Sequence, residues 1–232
     1  MLVVDEKERE TIRKGTYNIP LNFRKVFSQF YWYIKPYLLF CCQQHIYRYF
    51  CHPYNWAFTS ERTIEIPIVL KMLKDVRHEN ILEVGNVLSN YFNMKHDIVD
   101  KYEMIDDVIQ QDIVDYSPIK TYELIVSIST IEHIGFDENI KEPDKVIKAI
   151  ENLKSLLEPK GKIIVSFPMG YNTYLDNLYM QNIFLFQHRF CLKRISRLNF
   201  WKEVPLSKIV NPKYDYPYPS GNWVVFGIFD NS

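Results

Sequence analysis

Three polar points stand at the ends of three short apolar runs: the Glu83-Val84-Gly85 corner that closes NILEVG, Asp100 in HDIVDKYE and Asp112 in IQQDIVDY. A glycine directly after a buried strand lets the backbone turn sharply and lets a ligand approach with no side chain in the way. A carboxylate at the tip of the next strand can accept hydrogen bonds from both hydroxyls of a ribose. A further one, at the tip of a third strand, lies within reach of an adenine amino group. Singly, each also reads as an ordinary turn glycine or a solvated strand end; in this order and at these separations they describe an adenosine pocket. Just past a fourth apolar run, YELIVSIST, comes His133. Imidazole changes charge near neutrality, so a histidine at a strand tip can take the proton of a reacting hydroxyl, or it can cap the following turn and orient Glu132. His188 is a second histidine, less well placed.

These points have to be positioned by strands and helices. Ile64, Ile68 and Met72 recur at a spacing of four, with Val69 and Leu73 alongside, so TSERTIEIPIVLKMLKD reads as an amphipathic helix capped by Thr59 or Ser60 and kinked at Pro67. NILEVGNV reads as a buried strand, residues 96–103 as a second, 122–130 as a strand covered on both faces, DKVIKAIENLKSLLEPKG as a helix and KIIVSFP as the next strand. Strand, helix and strand with short connections is the rhythm of a doubly wound, mostly parallel sheet. RFCLKRISRLNFWKEV and NWVVFGIFD are β-prone runs suited to a C-terminal antiparallel hairpin. After Gly170 tyrosines and phenylalanines crowd the chain, and an insertion there overhangs the carboxyl ends of the strands, so residues 171–222 are expected to be an acceptor lid.

Lys+Arg 28 against Asp+Glu 28 leaves no net charge over 232 residues, which removes the broad electrostatic drive towards nucleic acid. Cys41, Cys42, Cys51 and Cys191 lack the density of a secreted disulfide scaffold and the paired spacing of a zinc site. The charged N-terminus has no signal-peptide pattern, so a cytoplasmic protein is expected. Residues 29–50 are aromatic-rich but interrupted by Lys35, Pro36, Gln43, Gln44, His45 and Arg48, too broken to span a bilayer. They read as part of an N-terminal helical, aromatic-rich extension, residues 1–58, packed on a domain of residues 59–232, with a protein or peripheral membrane contact as the alternative.

ILEVGNVLSNY, VDKYE, QQDIVDY, YELIVSISTIEHIG and LKSLLEPKGKIIVSFPMG, taken in order, resemble the successive motifs of the class I, Rossmann-like methyltransferases that use S-adenosylmethionine. The likeness spans residues 60–170, and within that family it is nearest to small-molecule enzymes, some associated with building glycans. It implies that Glu83 and Gly85 border the methionine part of the cofactor, that Asn86 is a further cofactor contact, that Asp100 holds the ribose, and that Asp112 and Ile113 meet the adenine. It also implies that Ser127 and Ser129 lie on the methyl-donor side, with Glu132 and His133 just beyond; His133 is the candidate base by its chemistry and position. Arg62 and Glu65 either reach the cofactor's carboxylate or amine or form a surface ion pair at helical spacing. The expected reaction is methyl transfer to a small-molecule oxygen, such as a sugar hydroxyl, and needs no metal. Val87 and Ser89 stand where the family carries further glycines, so the cofactor loop is bulkier here. Two rivals share the fold: a non-catalytic binding or scaffold protein, and an NAD(P)-dependent oxidoreductase, whose G-x-G-x-x-G is replaced by Gly85, Val87 and Asn90. Tyr116 and Lys120 have the spacing of that oxidoreductase's catalytic pair, but Pro118 breaks the helix they would need.

Overall fold

The computed structural model describes residues 33–231, so what the sequence suggests for residues 1–32 lies outside the described residues. In chain order the strands are β1 (Leu39–Cys42), β2 (His45–Arg48), β3 (Ile81–Val84), β4 (Asp97–Asp100), β5 (Ile109–Gln110), β6 (Tyr122–Ile128), β7 (Leu157–Pro168), β8 (His188–Arg194), β9 (Trp201–Val204) and β10 (Trp223–Asp230); the α-helices are α1 (Arg62–Leu73), α2 (Lys145–Ser155) and α3 (Thr173–Met180). β3 to β10 form one sheet in the order β5-β4-β3-β6-β7-β10-β8-β9. The first five in that order run parallel, and β10, β8 and β9 complete the sheet antiparallel. The fold is therefore the expected α/β, Rossmann-like, mostly parallel sheet, with β8–β9 as an antiparallel hairpin and β10 inserted between it and β7.

Alternate residues of the central strands feed two cores. Leu82, Val84, Ile125, Ile163 and Val165 meet Val146, Ala149, Ile150 and Leu153 of α2 and Leu175 and Tyr179 of α3. On the other face Ile81, Leu124, Val126, Ile128 and Ile164 meet Ile64, Ile68, Val69 and Leu73 of α1. Two-sided burial is why these strands read as continuous aliphatic runs.

Four local expectations are corrected. Residues 39–48, expected to be helical, are a two-stranded hairpin: Gln43 and Gln44 both take positive φ, 49° and 60°, as a two-residue primed turn demands, and the burial of β1 alternates as a strand's does. Helix α1 starts at Arg62 with Glu61, not Thr59 or Ser60, at its N-cap, and has no side-chain cap hydrogen bond. β7 begins at Leu157 and runs through Pro159-Lys160-Gly161, which bulge between the pairs Tyr122↔Leu157 and Leu124↔Lys162. Finally, residues 171–222 are not one lid, because α3, β8 and β9 occupy its middle and both strands belong to the sheet.

The connection from β3 to β4 has no α-helix; a single 3-10 turn at Leu88–Asn90 carries the chain across. Glu83 holds that turn. It is fully buried, its Oε1 accepts the amides of Val87 (2.9 Å) and Leu88 (2.7 Å), and its Oε2 lies 2.7 Å from Nε2 of His96.

Candidate functional site

The carboxyl ends of β3, β4 and β6 open onto a cavity of about 260 Å³. Gly85, Asn86, Asp100, Asp112, Ile113 and His133 all line it, together with Thr130, Lys101, Asp137 and Glu138. The structure thus brings six of the nine sequence-derived site residues to one place. Glu83, Ser127 and Ser129 are buried beneath it: Glu83 braces the loop, and the Ser127 hydroxyl donates to the Val84 carbonyl (3.3 Å). Ser129, held at φ 39° where β6 ends, donates its hydroxyl to Glu65 Oε1 (2.8 Å).

Gly85 turns at φ +83°, and a side chain there would collide with Thr130, so only glycine keeps this corner open. Its amide donates to the Val99 carbonyl (2.9 Å), which locks the corner to β4. At the tip of β4 the Asp100 Oδ1 accepts the amides of Tyr102 (2.8 Å) and Glu103 (2.9 Å). The carboxylate is thereby oriented, and its Oδ2 has no hydrogen-bond partner among the described residues.

Asp112 also reaches the cavity wall, but its Oδ2 is already paired with Lys145 (2.6 Å) and Lys101 (2.9 Å), and both ammoniums reach on to Glu138, at 2.7 and 2.9 Å. Burial alone would raise the pKa values of Asp112 and Glu138; the lysine hydrogen bonds outweigh it and hold both carboxyls below their ordinary values. Four alternating charges therefore close this end of the cavity, and Asp112 is not the free acceptor that the sequence suggests.

On the opposite side His133 is paired through Nδ1 with Asp137, which also accepts the hydroxyl of Tyr171 (2.6 Å). The His133 ring packs edge-on against Tyr171 at 4.9 Å. Burial tends to raise the Asp137 pKa, but the hydrogen bonds from Tyr171 and His133 prevail and lower it, so Asp137 stays a carboxylate beside His133 Nδ1. Asp137 was not singled out from sequence, where the four-residue step from His133 was the available signal; Tyr171 stands at the start of the tyrosine-rich segment read as the acceptor lid.

Arg62 and Glu65 are not a surface pair. Glu65 is fully buried and binds Arg62 at 2.9 Å, and the guanidinium also donates to the Ile128 carbonyl (3.1 Å) at the end of β6. Tyr116 and Lys120 lie away from the cavity, bonded to Tyr122 (2.9 Å) and Asp97 (2.8 Å). Gly170, just after β7, lets the segment behind β9 approach: a Cβ there would stand 2.6 Å from Lys213 Cα. Tyr214 of that segment meets Tyr171 edge-on at 5.1 Å, so Tyr171 touches both Tyr214 and His133.

No protein-family model matches the chain, and no curated protein does. Among solved structures the chain is similar to the N-methyltransferase NodS from Bradyrhizobium japonicum in complex with S-adenosylhomocysteine, at 13% identity, 74% of this chain and 87% of that one, with a TM-score of 0.46. It is also similar to an S-adenosylmethionine-dependent methyltransferase of Thermotoga maritima described as a possible histamine N-methyltransferase (13% identity, 77% and 95% covered, TM-score 0.45). A third is an rRNA methylase from Streptococcus thermophilus (13%, 72% and 96%, TM-score 0.41).

Proposed function

We propose that this chain is an S-adenosylmethionine-dependent methyltransferase acting on a hydroxyl of a small molecule. One observation carries the reading: the Gly85 corner, the oriented Asp100 carboxylate and the His133–Asp137 pair face a single cavity at the carboxyl ends of adjacent parallel strands. The residues present fit the cofactor, since the cradle at Gly85 is one that any Cβ would fill and Asp100 keeps an unpartnered oxygen for a ribose hydroxyl. Asn86 and Ile113 line the walls between those two points. Bound there, S-adenosylmethionine supplies an electrophilic methyl carbon whose bond to sulfur breaks, its electron pair passing to sulfur, as an acceptor oxygen bonds to the carbon.

The chain's own task is alignment and proton removal. His133 Nε2 takes the acceptor's hydroxyl proton, Asp137 stabilises the resulting imidazolium, and Tyr171 holds Asp137 in place. The tyrosines 171 and 214 offer an apolar face and a polar edge, which suits a sugar or another polyol.

The direct test is calorimetric titration of the protein with S-adenosylhomocysteine, paired with thermal unfolding. Saturable binding is expected, with a stability gain of about 2.7 kcal/mol at a hundred times the dissociation constant. Absence of any heat or shift at millimolar ligand would sink the reading and favour a scaffold protein.

A further inference from the structure

Another cavity, of about 520 Å³, opens between the end of β8, the start of β10 and the loop that joins β9 to β10, and it shares no lining residue with the cavity at Gly85. Lys193, Arg194 and Lys213 line it and no acid does, although the chain as a whole carries as many acids as bases. Lys193 stands across the strand pair from Trp223, its Nζ 4.4 Å from the centre of the indole, and Lys213 Nζ lies 5.5 Å from the centre of the Tyr216 ring. Among the described residues neither lysine forms an ion pair with a carboxylate. The walls are held by buried polar groups. Arg194 donates from its guanidinium to the Pro219 carbonyl (2.7 Å) and from its backbone amide to the Asn222 carbonyl (2.8 Å). The Asn222 side chain donates to the carbonyls of Tyr218 (2.7 Å) and Ser220 (2.9 Å), which fastens the loop to the sheet.

A cleft lined by charge of one sign between walls of low dielectric concentrates counter-ions. The aromatic rings attract the two ammonium groups but leave their charge in place, so the cavity selects for anions. A carboxylate would answer one lysine. A phosphate monoester carries about −1.5 to −2 charges at pH 7 and three strong acceptor oxygens, enough for both. Ile195, Tyr216, Pro217 and Trp223 supply an otherwise apolar lining, which favours a phosphate that brings an organic group with it over the bare ion. We propose that this cavity binds a small phosphate ester, with Lys193 and Lys213 as the counter-charges of its phosphate and the aromatic side chains packed against its organic part. A sugar phosphate and a nucleotide share that chemistry. The site does not depend on the methyl-transfer reading, because none of its residues takes part in that reaction.

The test is calorimetric titration of the full chain, at low ionic strength, with D-glucose 6-phosphate and uridine monophosphate, with their neutral counterparts D-glucose and uridine, and with inorganic phosphate. At least one ester should bind about tenfold or more tightly than its neutral counterpart and than inorganic phosphate, a difference of about 1.4 kcal/mol; which ester binds tells a sugar phosphate from a nucleotide. Lys193→Gln and Lys213→Gln, both at exposed positions, should each weaken that ester roughly tenfold, as loss of a hydrogen bond to a charged group does, and the double variant should abolish binding. Asp100→Ala, in the other cavity, should leave it unchanged. Esters that bind no better than their neutral counterparts, or that keep their affinity in both lysine variants, overturn the inference. So does an affinity lost with Asp100→Ala, which would put the ester in the cavity at Gly85. A uridine oligonucleotide that binds more tightly than the mononucleotide overturns it as well, because the lysines would then belong to a surface for nucleic acid.

Discussion

Asp100 and His133 face one cavity but are asked for different things, and substitutions separate them. The Asp100 carboxylate is prepaid in orientation by two backbone amides, so its open oxygen can accept from a ribose without losing side-chain freedom. Hydrogen bonds to a charged group contribute about 1.5–3 kcal/mol, so Asp100→Ala should weaken S-adenosylhomocysteine binding roughly 10- to 100-fold in a calorimetric titration. Unchanged affinity would remove Asp100 from the site. His133→Ala should instead leave that affinity nearly intact and lower turnover by about 10²–10⁴-fold, the usual contribution of a positioned base. Asp137→Asn should fall between wild type and His133→Ala, because the imidazole stays in place but loses the carboxylate charge beside it. Equal loss of binding and turnover in His133→Ala would make the histidine a structural turn residue.

At the scale of elements, the loop after β3 departs most from a doubly wound sheet. A 3-10 turn crosses where a helix is usual, and the buried Glu83 carboxylate supplies the order that a helix would otherwise provide. Glu83→Ala strands two amides and leaves a cavity, so it should destabilise the protein by about 2 kcal/mol or more in urea unfolding and lower cofactor affinity with it, since Gly85 and Asn86 ride on this loop. A fully stable variant would show that the turn is held elsewhere. The loop also shows what a sequence can reveal. β3, β4 and β6 were legible because two-sided burial writes an unbroken aliphatic run, and Gly85 and Asp100 were legible because they terminate such runs. The β1–β2 hairpin was not, because aromatic residues at its buried positions Phe40 and Tyr47 imitate a helical stripe and a Gln-Gln turn carries no glycine or asparagine to announce itself. The lysine bridges on Asp112 join residues from a strand tip, a loop and α2, and the depth of Glu65 depends on how α1 docks; neither follows from local pattern.

Across the whole molecule several carboxyl groups are buried, Glu65, Glu132 and Asp176 among them, and folding must carry their cost. Burial raises the pKa of Glu132 well above its ordinary value and raises that of Glu65 against the pull of Arg62. Asp176 on α3 is the clearest case, because it stands apart from those acids. Its Oδ2 accepts the Gly170 amide (2.8 Å), its Oδ1 has no partner, and burial, opposed by that one hydrogen bond, lifts its pKa from 3.8 to about 6. A carboxyl whose pKa is raised by folding binds its proton more tightly in the native state, so its contribution to stability is complete below the unfolded value and is lost as pH rises through the folded one. The window here runs from about pH 4 to just above pH 6, and the shift from 3.8 to about 6 corresponds to about 3 kcal/mol. Asp176→Asn keeps an oxygen for Gly170 and removes the titration. Urea unfolding at pH 4 and pH 7 should therefore show the variant gaining on wild type by up to that amount between the two conditions. Because the turn at Gly170 sets Tyr171 beside His133, the same substitution should leave the proposed methyl transfer at neutral pH close to that of wild type. Parallel stability curves for the two proteins would mean that Asp176 titrates as an ordinary exposed acid and that the α3 end of the sheet is more open than its packing shows.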